Sequence, residues 1–249
     1  MTEARREPVA TNNRRRAIVR SLARGAVVVA GAYGAYAVVA WSRYGRPESA
    51  RVARSCDTLL DTFMPAYDVA ERHQIRVAAP ATMTLAVARD LDLLNSWIVR
   101  MIGTARELVL GGRPGDSAVA LPHGLLAQLQ AIGWGVLAEI SGQEVVLGAV
   151  TRPWEADVTF RALPAADFAA WHEPGYAKIA VTLRVDTVGP AESIVQTETR
   201  VATTDAEARA RFRRYWALFS AGIVLLRLIW LRQIKSAAER RAHALGAPS

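Results

Sequence analysis

Between residues 68 and 240 the apolar positions recur with two periods, and the changes of period delimit the elements. In Asp68–Ala78, Val69, His73, Ile75 and Val77 share one parity while Arg72, Gln74 and Arg76 take the other, which predicts a half-buried strand. Pro80 opens a helix to about Arg89, and Leu94, Ile98, Met101, Ile102, Ala105 and Leu108 form one stripe of a second helix over Leu93–Leu110. Gly111–Ser117 (GGRPGDS) reads as a loop, Leu121–Ile132 as a short helix, and Gly133 as the return to strand period. Strands are predicted at Trp134–Ile140, Glu144–Val150, Asp157–Leu163 and Tyr176–Thr187. The first two are joined by the Ser141-Gly142-Gln143 turn, and Pro164–Trp171 supplies one or two helical turns before the fourth. A last strand, Ser193–Ala202, follows the Gly189-Pro190 turn. Within Tyr176–Thr187, Ala177, Ile179, Val181, Leu183 and Val185 alternate with Lys178, Thr182, Arg184 and Asp186, so one face is expected in the core and the other in water.

The final period is helical. Thr204 and Glu207 have the spacing of a capping box, and Ala208, Phe212, Tyr215, Phe219, Ile223, Leu226, Trp230, Ile234 and Ala237 carry the stripe to about Arg240. Ile223–Leu231 is apolar nearly all round except for Arg227. Such a helix is buried on more than one side, lines a cavity, or touches lipid.

Upstream, a basic arm (residues 1–24) precedes an uncharged run, Gly25–Ser42 (GAVVVAGAYGAYAVVAWS). As a helix, Ala26–Trp41 would extend about 24 Å at 1.5 Å per residue, short of the roughly 30 Å hydrocarbon core unless Arg20 and Arg24 snorkel. The expectation is a transmembrane or signal-anchor helix, single-pass, with the N-terminus cytoplasmic and the domain outside the cytoplasm. The rival readings are a cleaved signal, with Arg15-Arg16 as a twin-arginine element and Ala35-Tyr36-Ala37 as the cleavage site, and a helix lying on the surface. Ala26, Ala30 and Gly34 at spacing four would permit self-association through this helix. Residues 43–66 read as a linker with a short helix, and 242–249 as a tail.

Charge and cysteine count narrow the function. The chain of 249 residues carries a net +8, yet residues 1–54 hold 11 Arg against 3 acids and residues 205–249 hold 9 basic against 3 acidic side chains. The middle, residues 55–204, is acidic, with 11 basic against 17 acidic groups. Nucleic acid is excluded as a partner, because phosphates would meet repulsion on the folded core. Cys56 is the sole cysteine, and His73, His123, His172 and His243 are too scattered for metal spacing, so no metal site is expected. No nucleophile elbow, phosphate loop, zinc-protease helix or dinucleotide fingerprint occurs, hence no cofactor and no catalytic residue is predicted. Glu139 and Glu144 flank a hairpin turn and read as a solvated strand end. Lys178 with Glu198, and Arg184 with Asp157 or Glu192, read as cross-strand pairs on the wet face.

The order of strand, two helices, a run of mainly antiparallel strands and one long terminal helix over residues 67–241 resembles the START-like (SRPBCC, polyketide cyclase/dehydrase, Bet v 1-like) superfamily. Ile75-Arg76-Val77-Ala78-Ala79-Pro80-Ala81 is similar to that family's opening, a strand ending at a Pro that starts a helix. Thr197–Asp205, running into Ala208-Arg209 and Phe212–Trp216, is similar to its close. The resemblance implies an α+β helix-grip fold: a curved antiparallel sheet of about six strands wrapped on the C-terminal helix, here with an added N-terminal hydrophobic helix. It also implies a cavity that takes a hydrophobic small molecule or lipid; some relatives are cyclases or hydrolases. By parity, the residues expected to face that interior are Trp134, Val136, Ala138, Val158, Phe160, Ile179, Val181, Leu183, Thr197, Thr199, Phe219, Ile223, Leu226 and Trp230. A solidly packed core would use the same positions, and the domain would then dock a partner protein or an anionic membrane surface through its basic terminal helix, with Arg209, Arg211, Arg213 and Arg214. Thr197 and Thr199 stand out because an interior hydroxyl needs a partner. Trp154 would close an edge of the mouth or anchor a turn.

Overall fold

In the computed structural model of the chain, residues 31–42, 44, 58–92, 94, 96–112 and 121–246 are described. The basic arm, the start of the apolar run, the linker residues 45–57 with Cys56, residues 113–120 of the long insertion and residues 247–249 lie outside them. Six strands form one sheet: Val69–Val77 (β1), Gly135–Ile140 (β2), Glu144–Thr151 (β3), Phe160–Arg161 (β4), Ala177–Gly189 (β5) and Glu192–Thr203 (β6). Every pairing is antiparallel, in the order β1-β6-β5-β3-β2, with β4 on the end of β3. The helices are residues 31–42 (α1), Thr58–Phe63 (α2), Ala81–Asp90 (α3), Trp97–Val109 (α4), Leu125–Ala131 (α5), Ala165–Phe168 (α6) and Ala206–Ala244 (α7). The result is an open antiparallel sheet gripping one long C-terminal helix, a helix-grip-like α+β fold.

The strand expected over Asp157–Leu163 shrinks to two residues. The segment just before it is tied to α4, where Arg106 donates to the carbonyls of Pro153, Glu155 and Ala156 at 2.8, 2.5 and 3.3 Å, and only Phe160 and Arg161 come into register with β3. The cap of α7 is Asp205, not Thr204: its carboxylate accepts from the Ala208 amide at 2.8 Å. Thr204 is occupied at the strand end, where its hydroxyl exchanges hydrogen bonds with Tyr176 N and O. These backbone donors hold the Asp205 carboxyl below its ordinary range, the Ala208 amide first and Gly175 second.

The inner face of the sheet meets α7 and α3. Val77, Val185 and Val195 pack with Leu85 and Ala88 of α3 and with Leu231, Ile234 and Ala238 of α7. Nearer the start of α7, Ala177 and Val201 meet Phe212 and Trp216.

The outer face corrects an expectation. Lys178, Thr182, Glu198 and Arg200 do point away from α7, but all four are buried. The cover is α2 with the stretch around α6: Leu60 and Met64 pack with Phe168, Val146, Ala180 and Leu137. Gly148 permits this close seating, since a Cβ there would lie 2.6 Å from Leu137 and 2.7 Å from Phe168. Glu144 is likewise buried and accepts from the Thr182 hydroxyl at 2.8 Å, so it is no solvated strand end. The cross-strand pairs differ too. Lys178 donates to the carbonyls of Ala169 and Trp171, Arg184 pairs with Asp186, and Glu198 takes Arg72 and Arg200. Burial pushes the Lys178 pKa down.

Candidate functional site

Antiparallel register brings the site together. His73 lies opposite Thr197 and Glu71 opposite Thr199, while Thr197 and Thr199 lie opposite Leu183 and Val181. Directly opposed residues share a face, so the inner surface carries a polar strip on β1 and β6 beside an apolar field on β5 and β3. Into this boundary α7 projects Arg227, whose Nη2 donates to Thr199 Oγ1 at 2.7 Å. Its guanidinium also lies 5.3 Å from the Trp230 ring centre.

Between the sheet and α7 the interior opens into a cleft lined by the α5 leucines 125, 126 and 129, by strands β3, β5 and β6 from Val145 to Thr197, by Arg227, Trp230, Leu231 and Ile234 of α7, and by Arg89 of α3, which is neutralised by Glu139. Helix α5 is set against the cleft by Asp92, whose Oδ1 accepts from Gly124 N at 2.8 Å and from Gln128 Nε2 at 3.0 Å. The void in the cleft is about 40 Å³, room for about three waters at roughly 10–15 Å³ each. Sites for drug-sized molecules run from about 300 Å³ upward. The cleft is therefore narrow and mostly apolar, with Arg227 and the ion-paired Arg89 at its wall.

Arg227 is the unusual group. It forms no ion pair among the described residues, and the loss of water around it pulls its pKa down to about 10. Its neighbour His73 is also shifted down, by burial first and by the Arg227 charge second. His73 Nε2 is buried without a hydrogen-bond partner, 3.6 Å from Glu71 Oε2, and Trp230 Nε1 is buried and unpaired as well. A guanidinium, an imidazole, a carboxylate, two hydroxyls and an indole N–H thus gather where the sheet meets α7, and the His73 and Trp230 ring nitrogens are left without hydrogen-bond partners among the described residues. The arrangement can take an acceptor or an anion at one end and an alkyl or ring system at the other.

Of the residues expected inside, Val181, Leu183, Thr197 and Trp230 line the cleft, and Thr199 reaches it through Arg227. Trp134 and Val136 pack behind it against Leu125, Leu129 and Leu147. Phe160 stacks on Trp134 with ring centres 5.4 Å apart. Ile179 and Ile223 belong to the Phe212–Trp216 cluster, as does Trp154, and Phe219 lies on Tyr215 with 5.0 Å between centres. Val158 and Leu226 are partly buried outside the lining. Ala138 falls on the opposite face, against the Leu60 cluster, because a bulge between Val136 and Ala138 inverts the parity of β2. Parity missed Arg227, His73, Glu71 and the α5 leucines as site residues. For Arg227 the signal was its isolation in the apolar middle of α7; for His73 it was its place among Val69, Ile75 and Val77. Nothing local marks the α5 leucines, which are held at the cleft by the hydrogen bonds of Gly124 and Gln128 to the distant Asp92.

No protein-family model matches the chain, and no curated protein matches it. Among solved structures, the Zhui aromatase/cyclase from Streptomyces sp. R1128 aligns over 72% of this chain and 99% of that one, at 15% identity and a TM-score of 0.28.

Proposed function

We propose that the protein is a membrane-tethered binding domain whose sheet–helix cleft takes the acidic end of a hydrophobic small molecule or lipid. The observation that carries this reading is Arg227: a desolvated guanidinium bonded to one hydroxyl, set at the wall of an apolar cleft. Arg227 is half-buried, and a cation drawn partly out of water costs free energy unless an anion meets it. A carboxylate or phosphate there would recover that cost through charge-assisted hydrogen bonds, and Val181, Leu183 and Leu147 would hold its apolar part. The present void admits only the end group. Volume for a longer molecule comes from displacing Leu125, Leu126 and Leu129, which sit on a helix of seven residues with no side-chain cap. The tether is the apolar run 25–42.

Titration of full-length protein with the fluorescent fatty acid cis-parinarate tests this. Saturable binding is expected, weakened about tenfold or more by Arg227→Met, and lipid extracts of the purified protein should contain an acidic amphiphile by mass spectrometry. Absence of saturable binding, or equal binding by the variant, overturns the reading.

His73 favours a second reading, an aromatase/cyclase-like enzyme. An imidazole whose Nε2 makes no hydrogen bond, with its pKa held down and the Glu71 carboxylate 3.6 Å away, is suited to accept a proton from a bound polyketide. A His73→Gln variant that binds but does not turn over such a substrate would separate the two.

A further inference from the structure

Among the described residues, nothing covers the side of α7 turned away from the sheet. Leu218, Leu225 and Leu228 are 45, 51 and 40% exposed, and only 22% of the helix's most apolar eighteen-residue window is buried. With Ala221 they form one line at three- and four-residue spacing, opposite Phe212, Trp216 and Ile223. Flanking helices extend the surface on both sides. On one side α4 approaches, with Ile102 beside Gly222 and Arg106 over the Tyr215 ring, and it leaves Leu108 and Val109 exposed. On the other lies α1, joined by hydrogen bonds from Tyr33 to the Leu218 carbonyl and from Tyr36 to Ser220, and by Arg213 over the Trp41 ring; its Val38 is 68% exposed. Among the described residues, every exposed large apolar side chain except Ile140, Val188 and Leu245 lies on these three helices.

Charge identifies the occupant. The line Leu218–Leu228 is closed at both ends by exposed arginines on the same side of the helix, Arg214 and Arg232, neither in an ion pair among the described residues. Between Glu207 and Glu239 α7 carries no acid at all. A second copy of the chain would bring arginine against arginine in either a parallel or an antiparallel pairing of this face. Anionic headgroups neutralise the same residues while acyl chains cover the leucines.

We infer that the α1–α4–α7 layer is a bilayer-contact surface: the domain lies on an anionic membrane with α7 in the interface plane, its leucines in the acyl region and Arg214 and Arg232 at the phosphates. This surface points away from the cleft and holds whether or not the cleft binds an acid.

A tether alone would keep the chain on vesicles, so the test must be position-specific. Full-length protein in a Cys56→Ser background, with a single environment-sensitive label at Leu225→Cys, Leu108→Cys or Ile140→Cys, is reconstituted into phosphatidylcholine/phosphatidylglycerol vesicles containing nitroxide-labelled acyl chains. Labels at 225 and 108 should be quenched at least twofold and the label at 140 should not. Quenching at 108 should fall in Leu225→Glu/Leu228→Glu, and in vesicles without phosphatidylglycerol. Unquenched labels at 225 and 108 overturn the proposal. So does a disulfide-linked dimer through position 225 without lipid quenching, which would assign the face to a second copy.

Discussion

Arg200 and Arg227 sit on opposite faces of the same sheet, and their surroundings differ in kind. Arg200 is fully buried on the outer face, where Nε reaches Glu198 at 2.7 Å and Nη1 reaches Asp61 at 2.5 Å and the Met64 carbonyl at 2.8 Å. Burial disfavours its charge, but the hydrogen bonds and charges of Glu198 and Asp61 outweigh that and raise its pKa. Arg227, on the inner face, has one hydroxyl and a lowered pKa. The first arginine is an ion-paired structural clamp that holds α2 to the sheet, with both neighbouring carboxylates engaged and only Nη2 left without a hydrogen bond among the described residues. The second is an incomplete site. Arg200 is fully and Arg227 only partly buried, so the binding candidate is marked by what its neighbours leave undone and not by depth of burial.

Three measurements bear on this contrast. The largest effect is expected at the clamp: Arg200→Met leaves Glu198 buried with Arg72 as its remaining cation and frees Asp61, so chemical denaturation of the full chain should show a loss of about 3 kcal/mol or more. A loss below about 1 kcal/mol would make the two arginines alike.

Arg227→Met should act in the other direction. It removes a desolvated charge with one neutral partner and fills the space with apolar atoms, so stability without ligand should hold or rise by about 1 kcal/mol. A marked loss would mean that Arg227 is a structural group and the contrast fails.

The smallest effect is a pH dependence. The folded-state pKa of His73 lies below its unfolded value near 6.5, because burial and the Arg227 charge both disfavour imidazolium. As pH falls below about 6.5 the unfolded chain binds the proton more readily than the folded one, and stability drops until the folded-state value is passed. His73→Gln should flatten the pH dependence of the unfolding midpoint between about pH 7.5 and 5.5. Arg227→Met should flatten it partly, by removing one of the two causes. An unchanged slope in His73→Gln would place the histidine outside the influence of the cleft.

Much of the architecture was legible because it rests on local periods. The parity of β5, the Pro80 break before α3 and the long stripe of α7 each follow from side-chain alternation or helical spacing, and the sheet–helix order follows from them. Where a second layer or a bulge intervened, local pattern failed. Lys178, Thr182 and Arg200 look solvated in alternation, because nothing in β5 or β6 announces that α2, residues distant in sequence, will lie across them. Ala138 has inner parity in sequence and outer placement in space, because one bulge residue is enough to invert a period of two.

The sequence by itself determined the helix-grip order, the acidic middle between basic ends, and the lone charge in the apolar stretch of α7. Those are properties of spacing and composition along one chain. Only the tertiary structure decided that Arg227 meets Thr199 rather than a carboxylate, that the void in the cleft is about 40 Å³, and that the leucines beyond it face outward between α1 and α4. Partner, volume and exposure depend on which distant segments come together, and a one-dimensional pattern does not encode the distance between them.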